Sequence, residues 1–295
     1  MPAKTFGVIC TKGGVGKTTV SANMGAILAD MGQRVLLVDA DPQQSLSRVY
    51  PIETKAGFGL TQLYRNANPE NCISKTTIAN LDIVINDDPS GDNGAITNFL
   101  RESVTHFQHL YVALQLISNQ YDYILIDTQG AKGIVQESVI FAADILLSPV
   151  KPQVLDSREF IHGTVELINK FKPKPGFTSM TGRALPPVKV LINMWDRTAN
   201  ADAISRYLRA EFDREVDGQI TVLNTFIPAL QVYAEAIGRC IPVHRHETSR
   251  RGASRPAITT MMELVYELEP KLLGMEPVWP EMTLKARTQG AECNE

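Results

Sequence analysis

Apolar and polar positions along this chain alternate between two periods. "KTFGVIC" (4–10) is a short β-branched and aromatic run, after which Val20, Met24, Ile27, Leu28 and Met31 recur at helical spacing. Gly32 then stands where a helix C-cap belongs. "RVLLVDAD" (34–41) is almost continuously apolar, as a parallel strand covered on both faces should be. Further strands are expected at 81–86, 121–127, 144–150, 188–193 and 219–227, separated by helical patterns near 95–119, 132–142, 153–172, 199–213, 229–238 and 256–273. Loops are expected at 173–187 and 239–255. This alternation predicts one α/β domain with a doubly wound, mostly parallel sheet flanked by helices. The domain is expected to span 1–275, and the weakly periodic residues 276–295 read as a flexible C-terminal tail.

Composition narrows the class without changing that picture. The chain has 295 residues, 44% apolar and 21% charged, with a net charge of −3, which is ordinary for a soluble protein. Any nucleic-acid contact must therefore come from a local patch. No apolar run reaches the roughly 18 residues that a membrane span requires, and "MPAKTFGVIC" lacks the apolar core of a secretory signal. A cytoplasmic protein without a membrane anchor is expected. Cys10, Cys72, Cys240 and Cys293 are scattered and form no metal framework.

Chemistry enters at "CTKGGVGKTT" (10–19). The phosphate-cradling P-loop reads G-x-x-x-x-G-K-[ST]. Gly16, Lys17 and Thr18 fit it, but Thr11 occupies the first glycine position, and Gly13 and Gly14 follow a second lysine, Lys12. A strand, a glycine-rich turn and a helix N-terminus together make an anion site. The backbone amides of Gly13, Gly14, Val15, Gly16, Lys17, Thr18 and Thr19 can converge on phosphate oxygens. Lys17 supplies charge for the outer phosphates, and the Thr18 hydroxyl suits Mg²⁺.

Carboxylates at two strand ends extend the reading. Nucleotide hydrolysis needs acids near the metal and the attacking water, and in an open parallel sheet they come from the carboxyl ends of strands. "VDADP" puts Asp39 and Asp41 at one such end and "YILIDTQG" puts Asp127 at another. A single strand-end aspartate is often only a loop starter. Two in this order after a P-loop are a stronger signal.

"KGGVGKTT" followed by "RVLLVDADPQQS" closely resembles the ParA/MinD family of deviant Walker A ATPases (SIMIBI-type P-loop NTPases), and the ParA-type, Soj-like partition ATPases in particular. "YDYILIDT", "AADILLSPVKPQVLDSRE", "VLINMWDRT" and "IPALQVYAEAIGRCIPV" fit in order, so the resemblance covers roughly residues 4 to 273. It implies a catalytic set of Lys12, Lys17 and Asp41, with Lys12 crossing an ATP-bound sandwich dimer to its partner's phosphates. It implies ATP as substrate with Mg²⁺ near Thr18, Asp39 and Asp127, water positioned by Asp41, and adenine recognition near Asn193 and Pro228. One departure stands out. The family usually has proline after Asp-Thr, whereas this chain has Gln129 and Gly130, a change expected to loosen the segment beyond Asp127.

The family's partition members coat nonspecific DNA as ATP-bound homodimers and release it after hydrolysis stimulated by a ParB-like centromere-binding partner. Nucleoid association in the ATP state is the corresponding expectation. A footprint for DNA is sought in 239–255, where Arg239, Arg245, Arg250, Arg251 and Arg255 face a single acid, Glu247. The same arginines also read as a solvated loop or as braces for the last helix. About ten residues precede the loop, so no N-terminal operator-reading helix-turn-helix is expected. A MinD-like membrane helix fits poorly with Pro277, Pro280 and Gly290, and an iron–sulfur relative lacks suitably placed cysteines. The alternative that stays open is a ParA/MinD-like ATPase positioning a cargo other than DNA, such as a conjugation, secretion or membrane-associated complex.

Overall fold

In a computed structural model, residues 2–172, 183–212 and 218–280 are described. Nine strands form one sheet: β1 (Lys4–Val8), β2 (Val35–Ala40), β3 (Ile52–Thr54), β4 (Ser74–Thr76), β5 (Leu81–Val84), β6 (Tyr123–Thr128), β7 (Ile145–Val150), β8 (Val188–Trp195) and β9 (Ile220–Pro228). Their order is β3-β4-β5-β2-β6-β1-β7-β8-β9. Among the described residues only β3, β4 and β5 pair antiparallel, and they form one edge. The helices are α1 (Lys17–Asp30), α2 (Leu60–Asn66), α3 (Gly94–Glu102), α4 (His109–Ile117), α5 (Ile134–Ala142), α6 (Val154–Glu159), α7 (Glu166–Asn169), α8 (Ala199–Phe212), α9 (Val232–Gly238), α10 (Val243–His246) and α11 (Ala257–Leu268).

Both faces of the sheet are covered, which explains the unbroken apolar runs. Leu36 and Val38 of β2 join Ile124 and Ile126 of β6 in one core, whereas Val35 and Leu37 join Tyr123 and Leu125 in the other. Successive side chains point to opposite faces, so a strand buried on both sides must be apolar at every position. β1 lies between β6 and β7. β2 pairs with β6 on the far side. The carboxyl ends of β1, β2 and β6 are therefore neighbours, and the loops leaving them meet at one rim.

The pattern mislaid the small elements. β3, β4 and α2 carry too few residues for a period, and β3 and β4 are three-residue strands at an edge. The single helix expected at 95–119 is broken at Ser103 into α3, a 3₁₀ turn and α4. The Ser103 side chain accepts the Thr105 N–H at 3.2 Å, which caps that turn. The loop expected at 239–255 contains α10. Residues 173–182 of the other expected loop lie outside the described residues. The expected tail begins as docked chain. The Val278 N–H donates to the Asp30 carbonyl at 2.7 Å, and the Trp279 ring stands edge-on to His244 at 5.6 Å between centroids. Residues 281–295 lie outside the described residues.

Candidate nucleotide site

The glycine-rich loop leaves β1 at the centre of the sheet and ends at the N-terminus of α1. Gly14 (φ +72°) and Gly16 (φ +87°) occupy the left-handed region that glycine alone enters freely. Gly16 is constrained twice, because a Cβ there would come within 2.3 Å of the Asn193 amide nitrogen. The Asn193 amide donates to the Val15 carbonyl at 2.7 Å, so the end of β8 holds the loop's far limb in place. Gly13 and Gly14 face open space, with nothing within 4 Å of a Cβ built on either. A concave row of amides at a helix N-terminus with room before it suits phosphate oxygens.

The two lysines of the loop have different partners. Lys17 is buried, its Nζ donating to the Lys12 carbonyl at 3.2 Å. Lys12 is partly exposed, with Nζ 3.1 Å from Asp156 Oδ2 on α6.

Asp39 and Asp127 are register partners at the ends of β2 and β6. Thr18 Oγ1 donates to one oxygen of Asp127 at 2.7 Å and Ser21 Oγ to the other at 3.1 Å. Asp39 accepts the Ser47 hydroxyl and N–H at 2.7 and 2.8 Å and the Asp41 N–H at 3.2 Å. Burial pushes both carboxyls upward, Asp39 to about 6 and Asp127, which also feels the charge of Asp39, to about 7. Paired buried carboxyls beside a threonine hydroxyl are a hard oxygen set that fits Mg²⁺, whose charge would offset their repulsion. Asp41 sits just outside, half-buried, in a turn where its carboxylate accepts the Gln43 N–H at 2.9 Å. Thr19 carries its side chain half-exposed on the first turn of α1.

Pro228 lies opposite Trp195 at the ends of β9 and β8. With Trp195, Phe226 and Tyr266 it lines a cavity of about 840 Å³, none of whose lining residues belongs to the P-loop. The structure thus brings Asn193 to the loop itself and puts Pro228 on the wall of the neighbouring hollow.

Several contributors escaped the sequence reading. Thr11, at the position of the missing glycine, is bound through its N–H to Thr164 Oγ1 and through its hydroxyl to Glu159 Oε1, both at 3.0 Å. The helix that supplies these partners widens into a π turn at Phe160–Val165, a distortion that often marks functional sites. It brings Gly163 so near that a Cβ there would lie 2.2 Å from Thr11 Oγ1. The acids in "QVLDSRE" directly after a strand end were the available signal for Asp156 and Glu159. Gly130 of the Gln129-Gly130 pair lies close against the backbone of Gly13, an approach the sequence did not announce.

The arginine segment divides. Arg245 forks onto the buried Asp30, with Nε at 2.7 Å and Nη2 at 2.6 Å, and His244 Nε2 is 2.7 Å from the same carboxylate. Arg250 pairs with Glu247 at 2.7 Å, and Arg255 pairs with Glu263. Arg239, Arg251 and Arg255 are exposed. Three of the five cations are therefore engaged by carboxylates, two of which, Asp30 and Glu263, lie outside the segment and could not be counted from it.

The profile of an AAA domain matches residues 3–174. The sporulation initiation inhibitor protein Soj of Bacillus subtilis is 30% identical over 261 residues, covering 85% of this chain and 94% of Soj. The virulence plasmid ParA family protein pGP5-D of Chlamydia psittaci is 31% identical over 195 residues, 65% of this chain and 70% of that protein. Among solved structures, the septum site-determining protein MinD of Pyrococcus horikoshii, complexed with Mg-ADP, superposes with a TM-score of 0.65 at 22% identity, covering 92% of this chain and 98% of MinD. Deviant loop, parallel sheet and relatives agree: the chain belongs to the ParA/MinD family of P-loop partition ATPases.

Proposed function

We propose that this protein is an ATP-dependent partition ATPase in which Mg-ATP assembles a sandwich homodimer, the dimer holds nonspecific DNA, and hydrolysis stimulated by a ParB-like partner releases it. The observation that carries this reading is that the two lysines have different partners. Lys17 is buried with its Nζ on the Lys12 carbonyl, whereas the Lys12 ammonium, with 34% of its side chain exposed, meets Asp156 of α6. A partly exposed ammonium held by one acid retains donors for a second copy.

Within one subunit, the amides of Gly13 to Thr19 and the Lys17 ammonium would bind the phosphates. Thr18, Asp39 and Asp127 would hold Mg²⁺, which when bound neutralises charge developing on the transferred phosphoryl group. Asp41, at the open rim, would orient the attacking water. The Trp195–Pro228 hollow supports a place for the base near the end of β8. Basal turnover is expected to be slow without the partner. Light scattering tests the assembly: an Asp41→Ala variant should be dimeric in Mg-ATP and monomeric in ADP.

A second reading, positioning of a cargo other than DNA, is favoured by one specific observation. Arg245 is committed to the buried Asp30 and Arg250 to Glu247, whereas Arg255 meets Glu263 at the surface with 67% of its side chain exposed, so the DNA strip reduces to Arg239, Arg251 and Arg255. Co-sedimentation with duplex DNA, with and without ATP, separates the two readings.

A further inference from the structure

The Gln129-Gly130 pair departs from the family's proline, and its geometry says why a glycine stands there. Gly130 is not in the left-handed region, so its backbone makes no conformational demand for glycine. Its demand is for space. A Cβ built on Gly130 would lie 2.6 Å from both Cα and N of Gly13 and 2.9 Å from the carbonyl carbon of Lys12. All three are backbone atoms, which cannot swing aside as a side chain can. The segment after β6 therefore bears directly on the loop at the two residues that present Lys12.

The same limb has further contacts. Thr11 is held by Thr164 and Glu159, and the Lys12 side chain by Asp156. The limb from Thr11 to Gly13 thus touches both the helix that follows β7 and Gly130, while the far limb is held separately by Asn193 at Val15. The loop is supported as two halves.

We propose that Gly130 is a positioning residue that keys the segment following the Asp127 strand to the Lys12 end of the P-loop, and so sets where Lys12 is presented to a second subunit. The inference rests on the trans role given to Lys12 above. A methyl group at 130 would push away Lys12 and Gly13, and with them one cradle amide and the carbonyl that Lys17 Nζ contacts, while Gly16, Thr18 and Thr19 lie further along the loop. Binding of nucleotide should weaken modestly, and assembly and turnover should suffer more. A displacement of about 1 Å in a catalytic group costs on the order of 100-fold.

The test compares Gly130→Ala with Gly133→Ala in the same segment. Gly133 is extended (φ −177°), and a Cβ there meets only the Gln129 amide nitrogen at 3.8 Å, so its variant controls for adding a methyl group to this loop. Mg-ATP affinity, ATP-induced dimerisation and steady-state turnover are measured for both. Gly130→Ala should lose less than about tenfold in Mg-ATP affinity, the worth of one amide contact, but roughly 30- to 100-fold in kcat, with weakened dimerisation. Gly133→Ala should match wild type. In a Lys12→Ala background, Gly130→Ala should add less than about a twofold further loss, because both changes remove the same contribution. Amide chemical shifts of Lys12 and Gly13 should move in Gly130→Ala and not in Gly133→Ala, a readout available even if turnover is too slow to follow. Wild-type behaviour of Gly130→Ala, or full multiplication of its loss with that of Lys12→Ala, would overturn the keying role. Wild-type behaviour of Lys12→Ala would instead overturn the trans reading beneath it.

Discussion

Lys12 Nζ lies 3.1 Å from Asp156 Oδ2, and the acid is the more buried of the two, with 5% of its side chain exposed against 34% for the lysine. The loop's additional lysine is thus held within its own subunit by the helix that follows β7. This contact fixes the direction of Lys12 without consuming it, since a half-exposed ammonium retains donors for another acceptor. If Lys12 serves a second subunit, Lys12→Ala in the Asp41→Ala background should abolish the Mg-ATP dimer seen by light scattering while ATP still binds. A dimer that persists undiminished would remove the trans role.

Binding and chemistry should separate at Lys17 and Asp41. Lys17 is buried in the cradle, so Lys17→Ala should lower ATP affinity by at least about 100-fold, the cost of a charge-assisted contact. Asp41 stands at the rim, so Asp41→Ala should retain affinity within a few-fold and lose most of kcat. Calorimetric titration with ATP, set beside phosphate release, decides this. Equal loss of affinity in both variants would contradict the assignment.

The Asp30 cluster gives stability a pH dependence. Burial lowers the pKa of His244 below 6.5 against the pull of its Asp30 hydrogen bond. Its Nδ1 is buried without a hydrogen-bond partner among the described residues, so a proton there would be poorly received. Burial alone would raise Asp30, but the hydrogen bonds from Arg245 and His244 outweigh it and hold the acid below 3.8. Both folded-state values are depressed, so the unfolded chain binds more protons on acidification and stability falls with pH. The histidine contribution is lost as pH falls from 6.5 toward the folded value, and the Asp30 contribution only below 3.8. Thermal melts between pH 8 and pH 5 should show the first loss in wild type and a flatter profile in His244→Gln.

Removing one member of that cluster should be costly for a different reason. Arg245→Ala leaves the Asp30 carboxylate buried beside a neutral histidine, and breaking a buried pair from one side costs about 3–5 kcal/mol. Denaturant unfolding should register the loss. Arg251→Ala, an exposed position, should leave stability within about 0.5 kcal/mol.

DNA binding, if present, should track the exposed arginines. Arg239→Ala/Arg251→Ala should lower the log–log salt slope for an unrelated duplex by about one to two units and leave ATP affinity unchanged. An unaltered slope would return both residues to a solvated surface and strengthen the non-DNA reading.

How much the chain announced depends on the range of each interaction. The central strands were legible because burial on both faces demands apolar residues at successive positions, as at 35–38 and 123–126, before the aspartates at their ends. The P-loop was legible because Gly16, Lys17 and Thr18 are contiguous and each answers a local requirement of backbone angle, charge or metal donor. Asp39 and Asp127 could be placed at strand ends, but only the order β2-β6-β1 made them facing partners beside Thr18. Tertiary structure alone decided the rest. Lys12 found Asp156 at a separation of 144 positions, Arg245 found Asp30, and Gly130 found Gly13. Such pairings leave no period and no spacing in the sequence, because they are set by which strand ends the sheet brings together. A glycine whose lack of a side chain the sequence announces as backbone freedom also meets, in the folded chain, a close approach that no period could announce.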